Sequence, residues 1–262
     1  MDLTVDDKPV YAATGGRAFE RGKPAAIMIH GAGMDHSVWT LPARSLAHRG
    51  RAVLAPDLPG HGRSVGPALA EISALSGWIL RFMGAAGVDD ATLIGHSMGA
   101  LIALDVAARA PGRVKRLALI GAAGKMPVHP DLLKAAAERP AEAADLIVSW
   151  GFGPTGHLGG GPAPGLWLMG GGRRLLQQAA DGVLASDLAA CNAYDGQAVV
   201  ERVVCPALLI LGAEDKMTPP GRGTALARAL KQSETLLLPR AGHMLMAEAP
   251  DAVIDALLRF VP

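Results

Sequence analysis

Ser97 lies within Gly95-His96-Ser97-Met98-Gly99. The run before it, Asp90–Ile94, reads as a short buried strand; the run after it, Ala100–Ala110, reads as a helix with Leu101, Ile102, Leu104 and Val106 among alanines. A serine hydroxyl is a poor nucleophile at neutral pH and needs a positioned base. A sharp strand-to-helix turn lifts the hydroxyl clear of a sheet, and glycines two residues before and after remove side chains that would collide as the helix folds back. The helix N-terminus then favours negative charge developing beside the serine. G-x-S-x-G by itself also occurs in ordinary turns. Its placement between strand and helix gives it chemical meaning.

The base must come from one of eight histidines. His243, in Arg240-Ala241-Gly242-His243-Met244, follows the last strand-like run and precedes the last helix-like one, on a loop at the sheet edge that Ser97 also occupies. An orienting carboxylate is offered by Gly212-Ala213-Glu214-Asp215-Lys216-Met217-Thr218-Pro219, after the strand-like run 207–211. Asp215 is preferred to Glu214 because it lies deeper in that loop, nearer Pro219. The run 114–120 ends in Gly121-Ala122-Ala123-Gly124 and has no acid to offer; Asp57, between Pro56 and Pro59, reads as a tie for its own turn. A strand-end Asp or a loop His is common in isolation. Ser, Asp and His in that order at three strand ends is far less so, and it suits acyl transfer.

Those positions require a particular scaffold. Residues 2–13 alternate as one or two edge strands, and short apolar strands follow at 24–29, 51–55, 114–120, 207–211 and 235–238. Helical patterns fall at 35–48, 72–83, 222–230 and 250–260. Strand–helix alternation implies a parallel sheet covered by helices on both faces, with ligands at the C-terminal strand edge. Glycine-rich His30-Gly31-Ala32-Gly33, directly after a central strand, leaves main-chain N–H groups free to face a ligand. Between 125 and 204 strands vanish: helical pieces at about 131–149 and 173–191 flank a Gly/Pro-rich stretch, Gly151–Gly172, expected to be a mobile lid loop. This segment reads as an insertion over the sheet edge, dividing the chain into a core of 1–124 plus 205–262 and an inserted unit of 125–204.

Composition narrows the partners. The 262 residues are half apolar and carry a net charge of +1 with scattered basic residues, which argues against nucleic acid. The acidic start, Met1–Asp7, has no basic or apolar leader segment, and no apolar run reaches membrane-spanning length, so a cytoplasmic location is expected. Cys191 and Cys205 lack metal-ligand spacing and are expected to be reduced thiols. No metal or cofactor is expected, and oligomeric state is not readable.

With Gly95–Gly99, His30-Gly31, Asp57-Leu58-Pro59-Gly60-His61-Gly62-Arg63-Ser64 and Gly212–Asp215, the chain resembles the α/β-hydrolase superfamily outside 125–204, in particular its esterase and 3-oxoadipate enol-lactonase-like branch. The resemblance implies an α/β-hydrolase fold, Ser97 as nucleophile, Asp215 as acid and His243 as base. It further implies an oxyanion hole from the backbone N–H groups of Ala32 and Met98, and a helical cap at 125–204. Relatives using Asp in place of Ser97, the haloalkane dehalogenases and epoxide hydrolases, are disfavoured. Met34-Asp35-His36 after Gly33 departs from the longer glycine run of the C–C hydrolases.

The resulting expectation is a serine carboxylesterase acting on small, largely apolar esters. The alternatives are an enol-lactonase or C–C hydrolase of aromatic degradation, or a non-catalytic ligand-binding homologue on the same fold. Expected pocket residues are His36, Trp150, Phe152 and Trp167, with Leu166, Leu168, Met169 and Tyr194 as further apolar candidates. Arg173 and Arg174 read as a solvated helix start, with a substrate carboxylate as their other possible partner. His30, His61 and His96 are expected to make structural hydrogen bonds, and His48, His129 and His157 to lie on the surface.

Overall fold

The computed structural model describes residues 1–161 and 165–262. Eight strands form one sheet in the order β1-β2-β4-β3-β5-β6-β7-β8. They are β1 (Asp2–Val5), β2 (Lys8–Ala13), β3 (Ala25–Ile29), β4 (Ala52–Pro56), β5 (Ala91–His96), β6 (Val114–Ile120), β7 (Ala207–Gly212) and β8 (Ser233–Leu238). β1 and β2 form an antiparallel hairpin at one edge, and β2 joins β4 antiparallel; every other pairing is parallel.

The helices are α1 (Thr40–His48), α2 (Ile72–Ala86), α3 (Met98–Arg109), α4 (Pro130–Glu138), α5 (Pro140–Gly151), α6 (Leu168–Gln177), α7 (Val183–Ala193), α8 (Pro220–Ala229), α9 (Leu245–Glu248) and α10 (Pro250–Phe260). Strand side chains alternate between two cores. Leu93, Leu117, Leu119, Leu209 and Leu211 pack with α2, α3 and α8 on one face. Ile94, Ala118, Ile120, Leu208 and Ile210 pack with α1 and α10 on the other. Continuous apolar runs were needed because the central strands are covered on both sides.

Two expectations are corrected in detail. The helix anticipated at 35–48 is a 3-10 turn at His36–Trp39, capped by Asp35, followed by α1. Pro42 falls in the first turn of α1, where a missing N–H costs nothing. The two helical pieces expected in 125–204 are four. Pro140 breaks the first piece, because it cannot continue the hydrogen-bonding of α4 but opens α5 well. The second piece, expected at 173–191, is divided into α6, which already starts at Leu168, and α7, which left-handed Gly182 immediately precedes. The loop expected at 151–172 includes 162–164, outside the described residues; around them lie a 3-10 turn at Pro154–Gly156 and the start of α6.

Helices α4 to α7 share a third apolar cluster. Leu132, Ile147, Val148, Phe152, Leu176, Leu184 and Leu188 meet Met34 and Met244 of the sheet-edge loops there. Among the described residues, no helix is long and apolar enough to cross a membrane.

Candidate active site

Ser97 follows directly on β5 at φ +53° and ψ −118°, a conformation strained for any residue but glycine. The surroundings enforce it. A Cβ on Gly95 would collide with the carbonyl of Gly99, and one on Gly99 would collide with the carbonyl of Ile29. Ser97 N–H donates to Ile120 O at 3.0 Å, fastening the turn to β6. Met98 is the first residue of α3, so its N–H has no intrahelical acceptor.

The loop after β3 faces this turn. Gly31 O accepts from Met34 N–H at 3.2 Å, leaving Ala32 and Gly33 as the two central residues, with Gly33 at φ +64°. Ala32 N–H makes no hydrogen bond among the described residues. A Cβ on Gly31 would sit 3.3 Å from Ser97 Cβ and 3.0 Å from His96 Nδ1, so glycine lets the loop lie against the serine.

His243 is buried on the loop between β8 and α9. Its Nδ1 lies 2.8 Å from Asp215 Oδ2 and 3.2 Å from Thr218 Oγ1. Thr218 N–H donates to Asp215 Oδ1 at 2.7 Å, so both carboxylate oxygens are engaged. Glu214 is exposed and meets the site only through its backbone, whose N–H donates to Ala241 O. Gly121, at the end of β6, explains why no acid comes from that strand: its absent Cβ would lie 3.1 Å from His243 Nδ1.

The backbone around His243 is tied from three directions. Its N–H donates to Gly151 O at 2.6 Å, at the end of α5, and its carbonyl accepts from His96 Nε2 at 2.9 Å. Burial, then proximity to His243, holds His96 down to about 3, so its ring is neutral. Buried Glu248 supplies the third tie. Its Oε1 accepts from Gly242 N–H and Met244 N–H, and its Oε2 accepts from Gly153 N–H and Thr155 Oγ1.

Ser97 and His243 line one cavity of about 580 Å³. Ala32, Met126, Leu132, Leu188, Cys191 and Thr218 form its inner wall; Val128, Trp150 and Met217 continue it outward. Exposed His129, Lys216 and Arg222 stand at the rim, and neither Lys216 nor Arg222 is in an ion pair among the described residues. Burial pushes the Cys191 thiol far above its usual range, leaving it protonated. A second concavity of about 630 Å³ lies at the opposite ends of the strands, lined by Arg21, Lys23, Asp89 and Lys115.

Of the four pocket residues expected from sequence, Trp150 lines this cavity and three do not. His36 turns to Asp57, whose Oδ1 lies 2.8 Å from His36 Nδ1. That hydrogen bond raises His36 above its ordinary value. Asp35, His36 and Asp57 come close enough to hold a cation, but Asp57 already accepts from His36 N–H, His36 Nδ1 and Arg63 N–H. Phe152 is buried between α5 and α6, and Trp167 is 53% exposed over a separate groove beside Leu41 and Leu175. Leu166 and Leu168 share that groove. Tyr194 donates its hydroxyl to Asp105, and Arg173 pairs with Asp145.

The inner and rim residues that sequence reasoning missed come from the segment 126–132 leading into α4, from α7, and from the Asp215 loop with the start of α8. Lys216, Thr218 and Arg222 carried a readable signal, their nearness in sequence to Asp215. His129, expected on the surface, is exposed and also part of the rim, edge-on to Trp150.

An eight-stranded, mostly parallel sheet with a strained serine at the end of β5 defines a class. The chain belongs to the alpha/beta hydrolase family, whose model matches residues 26–256. Among curated relatives, it is 31% identical to the pimeloyl-[acyl-carrier protein] methyl ester esterase of Chromobacterium violaceum, covering 84% of this chain and 87% of that one. It is 32% identical to the dihydrolipoyllysine-residue acetyltransferase component of the acetoin cleaving system of Pseudomonas putida, over 97% of this chain and 69% of that protein. Among solved structures, the enol-lactonase of Burkholderia xenovorans LB400 superposes with a TM-score of 0.89 at 25% identity, covering 99% of both chains. A thermophilic esterase superposes at 0.82 with 26% identity, over 99% of this chain and 96% of that one. The chain is a hydrolase with esterase and lactonase neighbours.

Proposed function

We propose that this protein is a serine carboxylesterase. The observation that carries the reading is the 2.8 Å bond from His243 to Asp215, on a ring that shares a cavity with the strained Ser97. In this reading His243 Nε2 takes the Ser97 proton while Oγ attacks the ester carbonyl. Asp215 accepts a hydrogen bond from Nδ1–H, fixes the tautomer and stabilises the imidazolium. The N–H groups of Ala32 and Met98 receive the oxyanion, each worth about 2.7–4 kcal/mol of transition-state stabilisation. His243 then protonates the leaving alcohol, and water repeats the sequence on the acyl-enzyme to release the acid. Segment 125–204 acts as a cap, supplying Met126, Leu132, Trp150 and Leu188 to an apolar wall suited to small acyl or aryl groups. The working location is the cytoplasm.

A second reading, a lactone or ester that carries a carboxylate, is favoured by Lys216 and Arg222 at the rim. Two cations with no ion-pair partner among the described residues, set beside an apolar wall, suit an anionic group at the far end of the substrate.

The test is hydrolysis of p-nitrophenyl acetate and butyrate by wild type and Ser97→Ala, with fluorophosphonate labelling of Ser97. Wild-type turnover that Ser97→Ala lacks supports the reading. Equal rates in the two proteins, or a wild type that hydrolyses no ester, refute it.

A further inference from the structure

Helix α7 reaches the loop after β3 with a carboxylate. Asp187, wholly buried, accepts from Gly33 N–H at 2.8 Å and lies 2.8 Å from His61 Nε2, both through Oδ2. The same helix presses on the same glycine: a Cβ on Gly33 would lie 2.8 Å from Leu184 Cδ1. Gly33 is therefore held by one helix through a hydrogen bond and through van der Waals contact. Its peptide plane is continuous with Ala32, whose N–H is the proposed oxyanion donor.

His61 makes the contact ionic. Its Nδ1 lies 3.1 Å from Pro59 O and its Nε2 faces Asp187, so both ring nitrogens meet acceptors and both must carry protons. Burial opposes that charge; the hydrogen bond and the charge of Asp187, with smaller help from Pro59 O and Asp57, outweigh it and raise His61 above its ordinary value. The neighbouring His30, with its ring centroid 4.9 Å away, behaves oppositely. Its Nε2 accepts from Leu58 N–H, so Nδ1 carries the proton for Gly31 O. Burial and the charge of His61 hold it near 4. Asp187 Oδ1 has no partner among the described residues. The carboxylate's interactions all run through the oxygen that faces Gly33 and His61.

We propose that Asp187 is a positioning residue: paired with His61, it clamps the Ala32–Gly33 turn from the cap, so that seating α7 and assembling the oxyanion hole are one event. A cap displaced from the sheet edge would leave a buried imidazolium and the Gly33 N–H without partners, which disfavours a loosely seated α7. The kinetic part of this proposal rests on the esterase reading; the clamp itself does not.

The test uses the full chain with Asp187→Ala and the near-isosteric Asp187→Asn. In wild type at pH 7.5, NMR of the labelled imidazole is expected to show His61 doubly protonated, and Asp187→Asn is expected to render it neutral. In Asp187→Ala the Gly33 amide should exchange with solvent at least about tenfold faster. Its kcat on p-nitrophenyl butyrate should fall about ten- to hundredfold with KM within about twofold, the sign of a misplaced transition-state donor. A boronic acid, whose tetrahedral adduct on Ser97 presents an oxygen to the same N–H groups, should weaken by the same factor as kcat/KM. Asp187→Asn, which keeps an acceptor for Gly33, should lie between wild type and Asp187→Ala, and it carries the kinetic test if the alanine variant does not fold. A neutral His61 in wild type overturns the proposal. So does a kcat within about twofold of wild type in folded Asp187→Ala, or in Asp187→Asn where the alanine variant does not fold, or a rise in KM alone. A wild type inactive on every ester sinks the esterase reading instead, and Gly33 exchange with His61 protonation then decides the clamp.

Discussion

Replacing Asp215 by Asn tests the proposed mechanism through one hydrogen atom. Thr218 N–H lies 2.7 Å from Asp215 Oδ1 and can only donate. In Asp215→Asn the amide oxygen must stay on Thr218, which aims the amide NH2 at His243 Nδ1. The ring then has to accept at Nδ1 and carry its proton on Nε2, where it cannot take one from Ser97. A wrong tautomer in such a triad costs kcat about 10³–10⁴-fold, or about 4–5.5 kcal/mol of barrier. Stability should change little, because both hydrogen bonds of position 215 are replaced, so Tm should stay within about 4 °C.

Asp215→Ala behaves differently. Thr218 Oγ1, at 3.2 Å, remains to accept a hydrogen bond from Nδ1–H, so the productive tautomer survives and the loss is about tenfold smaller. The assay is steady-state hydrolysis of p-nitrophenyl butyrate, with the His243 tautomer read by nitrogen NMR. An Asp215→Asn enzyme within tenfold of wild type, or one more active than Asp215→Ala, would refute the reasoning.

Gly99→Ala drives a Cβ into the carbonyls of Ile29 and His30, an overpacking cost of about 1–3 kcal/mol; thermal melts should show a fall of several degrees, whereas Gly112→Ala, with open space around it, should leave Tm unchanged. Lys216→Ala with Arg222→Ala should raise KM for a carboxylated ester about tenfold, more at low salt, while a neutral ester of the same length is unaffected; equal KM changes for both substrates would remove the second reading.

What the sequence determined by itself is local. Short runs that are apolar at their centres made strands because those centres are buried on both faces, and the alternation with helices set a parallel sheet. The glycines flanking Ser97 announced a turn whose sterics admit nothing larger. The order of Ser97, Asp215 and His243 at strand ends was legible because topology puts every parallel strand end on one edge. The choice of Asp215 over Glu214 could be guessed, but only the folded loop shows which carboxylate turns inward to the ring.

Other features were decided by tertiary structure alone. Asp187 and Gly33 are 154 positions apart, and no pattern near either residue announces that they meet. Nothing in the sequence around Glu248 marks it, yet four donors from two loops converge on it in the fold. His36 and Phe152 were expected in the pocket but point elsewhere, while Lys216 and Arg222 stand at its rim. Periodicity fixes which face of an element is apolar. It carries no information about which distant loop a side chain will face, because that depends on how the inserted helices pack over the sheet edge.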